Sequence, residues 1–283
     1  MKIIYSSQRQ GILNFLNPFN AVSSIWARRD LVRQLVRRNI DARYKGTMAG
    51  LLWMVATPLM MLAVYTFVFG FIFKSRWGSD FGDSTSAFAM IMFCGMVVFN
   101  IFSESVNGSV GIITVNPSYV KKVVFPLEVL PVVSVLSAVF FGLVWLVILL
   151  GGIGVFMHRF CFSIIYLPLV FVPLLLFSCG ISWFVASLGV YLRDLAHAIG
   201  ILLQMLFFVT PICYSPEMIP RSLHWVFLFN PLAVIVQAAR QVLIYGRQPD
   251  WLGFSIITVL SLIVFQLGYC WFMKTKRGFA DVV

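Results

Sequence analysis

Long apolar runs alternate with short polar stretches along the whole chain. The first such run, Leu51 to Phe73, has 23 residues without a charge. At about 1.5 Å per residue, this length crosses a hydrocarbon core of roughly 30 Å. Comparable runs lie at 88–113, 130–156, 162–190, 195–212 and 252–273. The pattern predicts an all-α polytopic membrane protein with six transmembrane helices.

A basic amphipathic segment precedes the first span. Arg28 to Lys45 holds seven cations and two acids. On a helix, the apolar side chains share one stripe, while the cations Arg33 and Arg37 lie on another face. The stripe consists of Ile25, Val32, Leu35, Val36 and Ile40. We therefore divide the chain into an N-terminal cytoplasmic segment, 1–46, with an amphipathic interfacial helix, and a transmembrane domain, 47–283.

The stretch from Cys213 to Trp251 does not fit a span. Its apolar pieces, Leu223 to Phe229 and Leu232 to Ala239, are short and are separated by Asn230-Pro231. Irregular backbone within the membrane is tolerated only where it is buried in protein or lines a water-filled cavity. We predict two short re-entrant or interfacial helices on the outer face.

The positive charges support six spans. With six spans, fifteen Lys and Arg residues lie on the side of both termini and six lie on the other side. Because short cytoplasmic loops carry an excess of cations, both termini are predicted in the cytoplasm. The net charge of +11 is thus explained by membrane lipids and topology, and no nucleic-acid partner is expected.

The chain lacks the residues of common catalytic and nucleotide sites. There is no G-x-x-x-x-G-K-[ST] loop and no H-E-x-x-H, and the three histidines are far apart. We predict no catalytic residue, no metal site and no cofactor in this chain. Glu104 and Glu128 lie near the inner boundary, where a helix-end or partner-contact role is expected.

The inner loop Asn116 to Pro126 is bounded by prolines and has the length of two or three helical turns. It places Tyr119 beside Lys121 and Lys122, within apolar residues. A helix with apolar and basic faces suits a socket in another protein. The alternative is a connector that lies on the membrane.

Aromatic side chains are frequent in the first and fifth spans. Their faces stack on sugar rings, so an aromatic-lined passage suits glycans. The alternative is packing against lipid or at the membrane interface. Tyr65 and Phe69 are four residues apart and share one helical side.

Five motifs in order carry a resemblance to a known family. The run from Arg43 through Trp53 to Leu59 resembles the first-span signature of ABC-2-type polysaccharide export permeases. The segment from Val120 to Pro131 is similar to the inner loop of that family. Arg193-Asp194-Leu195, Thr210-Pro-Ile-Cys-Tyr214 and Asn230-Pro-Leu232 follow at suitable spacing.

The resemblance implies a permease of the cell's inner membrane that forms a homodimer with two copies of a cytoplasmic ABC ATPase. It implies that the pair moves a lipid-linked polysaccharide, such as O-antigen or capsule, and that ATP and Mg are used by the partner ATPase. It also implies three groups of site residues. These are Tyr119, Lys121, Lys122, Arg33 and Arg37 for ATPase coupling, Trp53, Tyr65, Phe69 and Phe207 for the substrate channel, and Pro216, Pro220, Asn230 and Pro231 for the outer gate.

Other functions stay open at this stage. One is an ABC-2-type exporter of a smaller lipid or a drug. An intramembrane glycosyl or acyl transferase would need acids or histidines clustered at one depth, and the chain has only scattered ones. An ion channel would need rings of charges or carbonyls.

The six-span topology predicts which positions react with a membrane-impermeant thiol reagent. Cysteine placed at Ser84 or Ser222 should react from outside, because both lie in predicted outer segments. Cysteine at Lys276 should not. External labelling at position 276 would contradict the six-span arrangement.

Overall fold

The computed structural model describes residues 18–45, 50, 52–72, 77, 84–120, 125–158, 162–192, 194–216, 222 and 230–282. Within these residues the chain is all-helical. The helices, in chain order, are α1 (Pro18–Trp26), α2 (Arg29–Tyr44), α3 (Leu52–Tyr65), α4 (Thr85–Val110), α5 (Pro117–Val120), α6 (Val129–Gly152), α7 (Leu167–Tyr191), α8 (Leu195–Val209), α9 (Pro231–Arg240), α10 (Trp251–Thr275) and α11 (Phe279–Val282). Short π-helical turns extend α3 to Ile72, α6 to Met157 and α9 to Tyr245.

Five helical segments in the described chain are long and apolar enough to cross a membrane. They correspond to α3, α4, α6, α7 and α10 with their helical extensions, and they confirm five of the predicted spans as long apolar helices. The predicted span 195–212 is shorter, because α8 has only 15 residues and is about 22 Å long. Pro211 explains its end, since the residue before a proline is driven out of the helical region, and Thr210 has ψ 133°.

The helix after Asn230 is longer than the sequence predicted. We predicted an apolar piece that stops at Ala239, but α9 runs through Arg240 and its extension reaches Tyr245. The polar side chains do not stop it, because Arg240 is completely buried among protein groups. Gly246, with φ 67°, ends it in the left-handed conformation.

We call the end of the bundle at which α4, α7 and α10 begin the outer end, after the predicted topology. Tyr166 contacts Trp251 there, with ring centroids 5.8 Å apart. Ser163 Oγ donates to the carbonyl of Val242 at 2.6 Å, so α9 also finishes at this end. Its start lies deeper, because the side chain of Asn230 bonds to Thr210 at the end of α8.

The centre of the bundle is α4, which packs against α6, α7, α8 and α9. Helices α7 and α10 approach closely through glycines. A Cβ on Gly180 would lie 2.5 Å from the carbonyl oxygen of Val264, so no larger residue fits without moving the helices apart. Small residues at such contacts let helix backbones meet in a membrane protein.

In contrast, α3 lies at the edge. Of its residues only Pro58 is buried, and apolar side chains such as Val64 and Phe67 are exposed.

The amphipathic pattern of α2 is confirmed. Val32 and Leu35 are buried in an apolar cluster at the inner end, whereas Arg33 and Arg37 are exposed. The apolar stripe is covered by protein, because α2 packs along α6. Asn39 Nδ2 donates to Ser137 Oγ at 3.1 Å in this contact.

A buried carboxylate joins distant segments at the inner end. Glu128 is only 3% exposed and accepts from Arg28 Nη1 at 2.8 Å and from Lys276 Nζ at 2.6 Å. Its backbone carbonyl accepts from Trp183 Nε1 at 3.0 Å. The junction of α1 and α2, the start of α6, the middle of α7 and the end of α10 therefore meet at one residue.

We expect Glu128→Gln to lower the free energy of unfolding by on the order of 3 kcal/mol, because it leaves two partly buried cations without their acid. Thermal unfolding of the purified protein measures this change. The matched control is Asp30→Asn on the exposed side of α2, which should cost less than about 1 kcal/mol. Equal effects of the two substitutions would contradict the structural role of Glu128.

Candidate functional site

The inner loop carries the first candidate group. The sequence predicted two or three helical turns over Asn116 to Pro126. The described part contains one turn, α5 (Pro117–Val120), and Lys121 and Lys122 lie outside the described residues.

Tyr119 is already engaged within the chain. Its ring stacks on Phe125 with centroids 4.3 Å apart, and its hydroxyl accepts a hydrogen bond from Arg38 Nη1 at 2.6 Å. The guanidinium of Arg38 also lies 5.7 Å from the centre of the ring. Since Arg38 belongs to α2, the inner loop and the amphipathic helix form one joined surface.

The exposed face of α2 extends this surface. Arg33 and Arg37 are one helical turn apart and exposed, and Arg38 next to them reaches Tyr119. The structure thus brings together three of the five residues assigned to coupling. The link through Arg38 was not predicted, because its partner is 81 residues away in the sequence.

The two acids near the inner boundary are occupied by internal pairs. Arg43 forms two hydrogen bonds to Glu104, at 2.6 and 2.8 Å, and its guanidinium lies 4.4 Å from the Phe141 ring centre. Glu128 directly precedes α6, but its side chain makes no capping bond there. Glu104 thus pairs with Arg43 of α2, and Glu128 pairs with Arg28 and with Lys276 at the end of α10.

Three of the four predicted channel residues meet in an aromatic cluster. Tyr65 and Phe69 stack with centroids 6.1 Å apart, and Tyr65 lies 5.6 Å from Phe207. Phe99 of α4 completes the cluster, 5.2 Å from Phe207. Trp53 lies apart from it, twelve residues or about 18 Å before Tyr65 along α3, and is exposed.

The cluster lies between α3, α4 and α8, and its rings Tyr65, Phe69 and Phe207 are half-buried. Part of the surface of these three rings is therefore not covered by the rest of the described chain. The spacing of Tyr65 and Phe69 predicted their contact, whereas the contribution of Phe99 follows only from how α4 and α8 pack.

Two residues assigned to the outer gate, Asn230 and Pro231, lie beside the end of α8. Asn230 is buried, its Oδ1 accepts from the backbone N–H of Leu232, and its Nδ2 donates to Thr210 Oγ1 at 3.0 Å. Pro231 is the first residue of α9. Pro216 is half-buried, and Pro220 lies outside the described residues.

Over the part of the chain that the structure describes, no group of three or more His, Cys, Asp or Glu side chains is arranged to hold a metal ion.

Comparison with known proteins adds an independent finding. Residues 30–244 match the model of the ABC-2 type transporter family. The chain is 25% identical to the O-antigen export system permease protein RfbA of Klebsiella pneumoniae over 90% of this chain and 95% of that protein. It is 26% identical to the protein of the same name from Myxococcus xanthus, over 93% and 98% of the two chains.

A third relative is the polysialic acid transport protein KpsM of Escherichia coli, 25% identical over 84% of this chain and 90% of that protein. The family match covers most of the chain and includes every described residue of the three candidate groups. The chain therefore belongs to the ABC-2 type transporter family, as a membrane permease subunit, a kind of subunit that lacks ATPase activity.

Proposed function

We propose that the chain is the permease subunit of an ATP-driven exporter that moves a lipid-linked polysaccharide, of the O-antigen type, across the inner membrane. The observation that carries this proposal is the similarity to permeases named for O-antigen export over nearly the full length of both chains. The aromatic cluster of Tyr65, Phe69 and Phe207 supports a substrate with sugar rings.

The working assembly in this proposal is a homodimer with two copies of a cytoplasmic ABC ATPase. The exposed apolar sides of α3 and α8 support the dimer, because they carry side chains such as Phe67 and Met205 that a second copy would cover. The chain itself has no Walker loop, so ATP and Mg belong to the partner.

Coupling to the ATPase is assigned to Tyr119, Lys121 and Lys122 of the inner loop and to Arg33 and Arg37 of α2. The hydrogen bond between Arg38 and Tyr119 supports this assignment, because it makes the loop and α2 move together. A displacement of this surface would reach the bundle through Arg28, which α2 follows directly and which holds Glu128.

The proposed passage runs along the aromatic cluster and Trp53, and ends at a gate around Pro216, Pro220, Asn230 and Pro231. The six-span topology with both termini in the cytoplasm includes α8 as a short span. The position of α9 supports this arrangement, since it lies between the end of α8 and the outer end of the bundle and adds the length that α8 lacks.

The direct test is ATPase stimulation in the reconstituted complex. The permease is purified with its partner ATPase, placed in lipid vesicles, and supplied with the lipid-linked polysaccharide. We expect the polysaccharide to stimulate ATP hydrolysis and to be carried across the bilayer. Stimulation by a small lipid or drug, without any effect of the polysaccharide, would overturn the proposal in favour of a small-molecule exporter.

The channel assignment gives a prediction for the double substitution of Tyr65→Ala with Phe69→Ala. Because both rings lie on one side of α3, their loss should reduce polysaccharide export by about fivefold or more, since each stacking contact contributes about 0.5–1.5 kcal/mol. Binding of the ATPase should be unchanged, since neither ring lies at the inner surface.

The control for this prediction is Phe156→Ala, which removes an exposed ring from the end of α6. Export with this substitution should stay at the level of the unaltered protein. If the double substitution also leaves export and glycan length unchanged, the two rings serve packing alone.

A further inference from the structure

Arg240 is a completely buried cation near the outer end of the bundle. Its Nε donates to the carbonyl of Ile91 at 3.1 Å. Its Nη1 donates to the carbonyl of Pro211 at 2.7 Å and its Nη2 to that of Ile212 at 3.0 Å. The guanidinium lies 4.3 Å from the centre of the Trp77 ring. One side chain of α9 thus contacts α4, the turn after α8 and Trp77.

Within the described part of the chain, backbone carbonyls and an aromatic ring surround this charge. No carboxylate in the described part of the chain pairs with Arg240, although a guanidinium keeps its charge in proteins. Three carbonyl dipoles and the face of an indole take the place of water and of a counterion. The carbonyls of Pro211 and Ile212 belong to the turn after α8, whereas the carbonyl of Ile91 belongs to α4.

The sequence around the turn explains why a cation is needed there. Pro211 ends α8, and the extended conformation of Thr210 leaves the carbonyls of Pro211 and Ile212 outside any helix. Carbonyls at this depth need donors from the protein, because lipid supplies none. The forked guanidinium donates to both at once, which the single ammonium of a lysine does not do with the same geometry.

Gly95 provides the space for this contact. A Cβ on Gly95 would lie 2.9 Å from Arg240 Nη2 and 3.3 Å from side-chain carbons of Ile212 and Val236. Any other residue at position 95 therefore displaces the guanidinium or the turn. The close approach of Arg240 to α4 therefore depends on the absence of a side chain at Gly95.

We propose that Arg240 is the positioning residue of the outer gate. It holds α9 and the Thr210–Cys213 turn against α4 in the closed state, and release of its two bonds to Pro211 and Ile212 is part of opening. This inference rests on the proposed function, because it assigns a closed state and an open state to the same gate. The closed state then depends on Arg240, on the carbonyls of Pro211 and Ile212, and on Gly95, which leaves room for the guanidinium.

Cys213 offers a native reporter for the opening. Its thiol is free and buried, and it directly follows Ile212 in the turn. A protein that keeps Cys213 as its single cysteine reports the opening of the turn as reaction with a membrane-impermeant maleimide. Cys179, kept alone in a parallel protein, packs against the inner cluster and reports general unfolding.

The experiment compares the complex of permease and ATPase in membranes, with and without ATP, for Arg240 and for Arg240→Met. In the unaltered protein we expect slow labelling of Cys213 at rest and faster labelling during ATP turnover with substrate. In Arg240→Met, labelling without ATP should rise about tenfold or more, because the bonds that oppose local opening are lost. Arg240→Lys should lie between the two.

The outcomes separate this inference from the proposed function. If ATP turnover exposes Cys213 but Arg240→Met labels at the resting rate of the unaltered protein, the function stands and the role of Arg240 is overturned. If substrate does not stimulate the ATPase, the proposed function fails, and the comparison of the two proteins at rest still decides whether Arg240 closes the turn. If substrate-stimulated turnover leaves Cys213 as slow as at rest, the turn is not a gate and the inference is overturned.

General unfolding is recognised by Cys179. If Arg240→Met also accelerates the labelling of Cys179, the inference is tested with Gly95→Ala instead. This substitution adds one methyl group beside the guanidinium and removes none of its donors. That variant should accelerate the labelling of Cys213 while Cys179 stays slow. Unchanged labelling of Cys213 in Gly95→Ala would then overturn the inference.

Discussion

The carboxylate of Glu128 holds together segments that are far apart in the sequence. Its two cation partners are separated from it by 100 and 148 residues. A charged group this deeply buried is stable only with partners, so the two ends of the described chain are drawn to the start of α6. The inner apolar cluster forms around this point, with Trp183 packed against Phe265 at 5.0 Å and Tyr269 at 5.2 Å.

The outer end is held by a different kind of interaction. There a cation, Arg240, donates hydrogen bonds to three backbone carbonyls. A bond to a carbonyl is weaker than one to a carboxylate, since only the donor is charged. At the inner end, oppositely charged side chains form ion pairs. At the outer end, a charged side chain binds backbone carbonyls, two of which lie in the turn after α8. This difference places the more easily separated contact near the outer end of the bundle.

Much of the fold followed from apolar length and helical periodicity. The runs that form α4, α6, α7 and α10 were predicted as spans, because a long uncharged apolar run can be identified in a sequence without knowledge of its tertiary contacts. The apolar stripe with Val32 and Leu35 was likewise predicted from the helical spacing of its residues. In contrast, the apolar pattern stops at Ala239 and did not predict that the helix continues through Arg240. Its carbonyl partners are 28, 29 and 149 residues away, and no local pattern contains them.

The candidate site divides in the same way. Tyr65 and Phe69 share a helical side because they are four residues apart, and this was predictable. Phe207 joins these two rings, whereas Trp53 does not. This outcome depends on the tilt and length of α3 and α8, which the spacing of residues in the sequence does not determine. Tyr119 was singled out as an aromatic residue in the loop between α4 and α6. Its internal partners Arg38 and Phe125 required the structure.

In the proposed transporter, these contacts give a continuous route between the two ends. The inner loop is bound to α2 through Arg38, and the junction before α2 is bound through Glu128 to Lys276 at the end of α10. Helices α10 and α7 touch at Gly180 and Gly268 without intervening side chains, so they move together as a stiff pair. At the outer end α9 packs against both of them and against α4. A small displacement at the inner surface therefore reaches the helix that carries Arg240, while α3, with almost no buried residue, remains free to follow the substrate or a second copy of the chain.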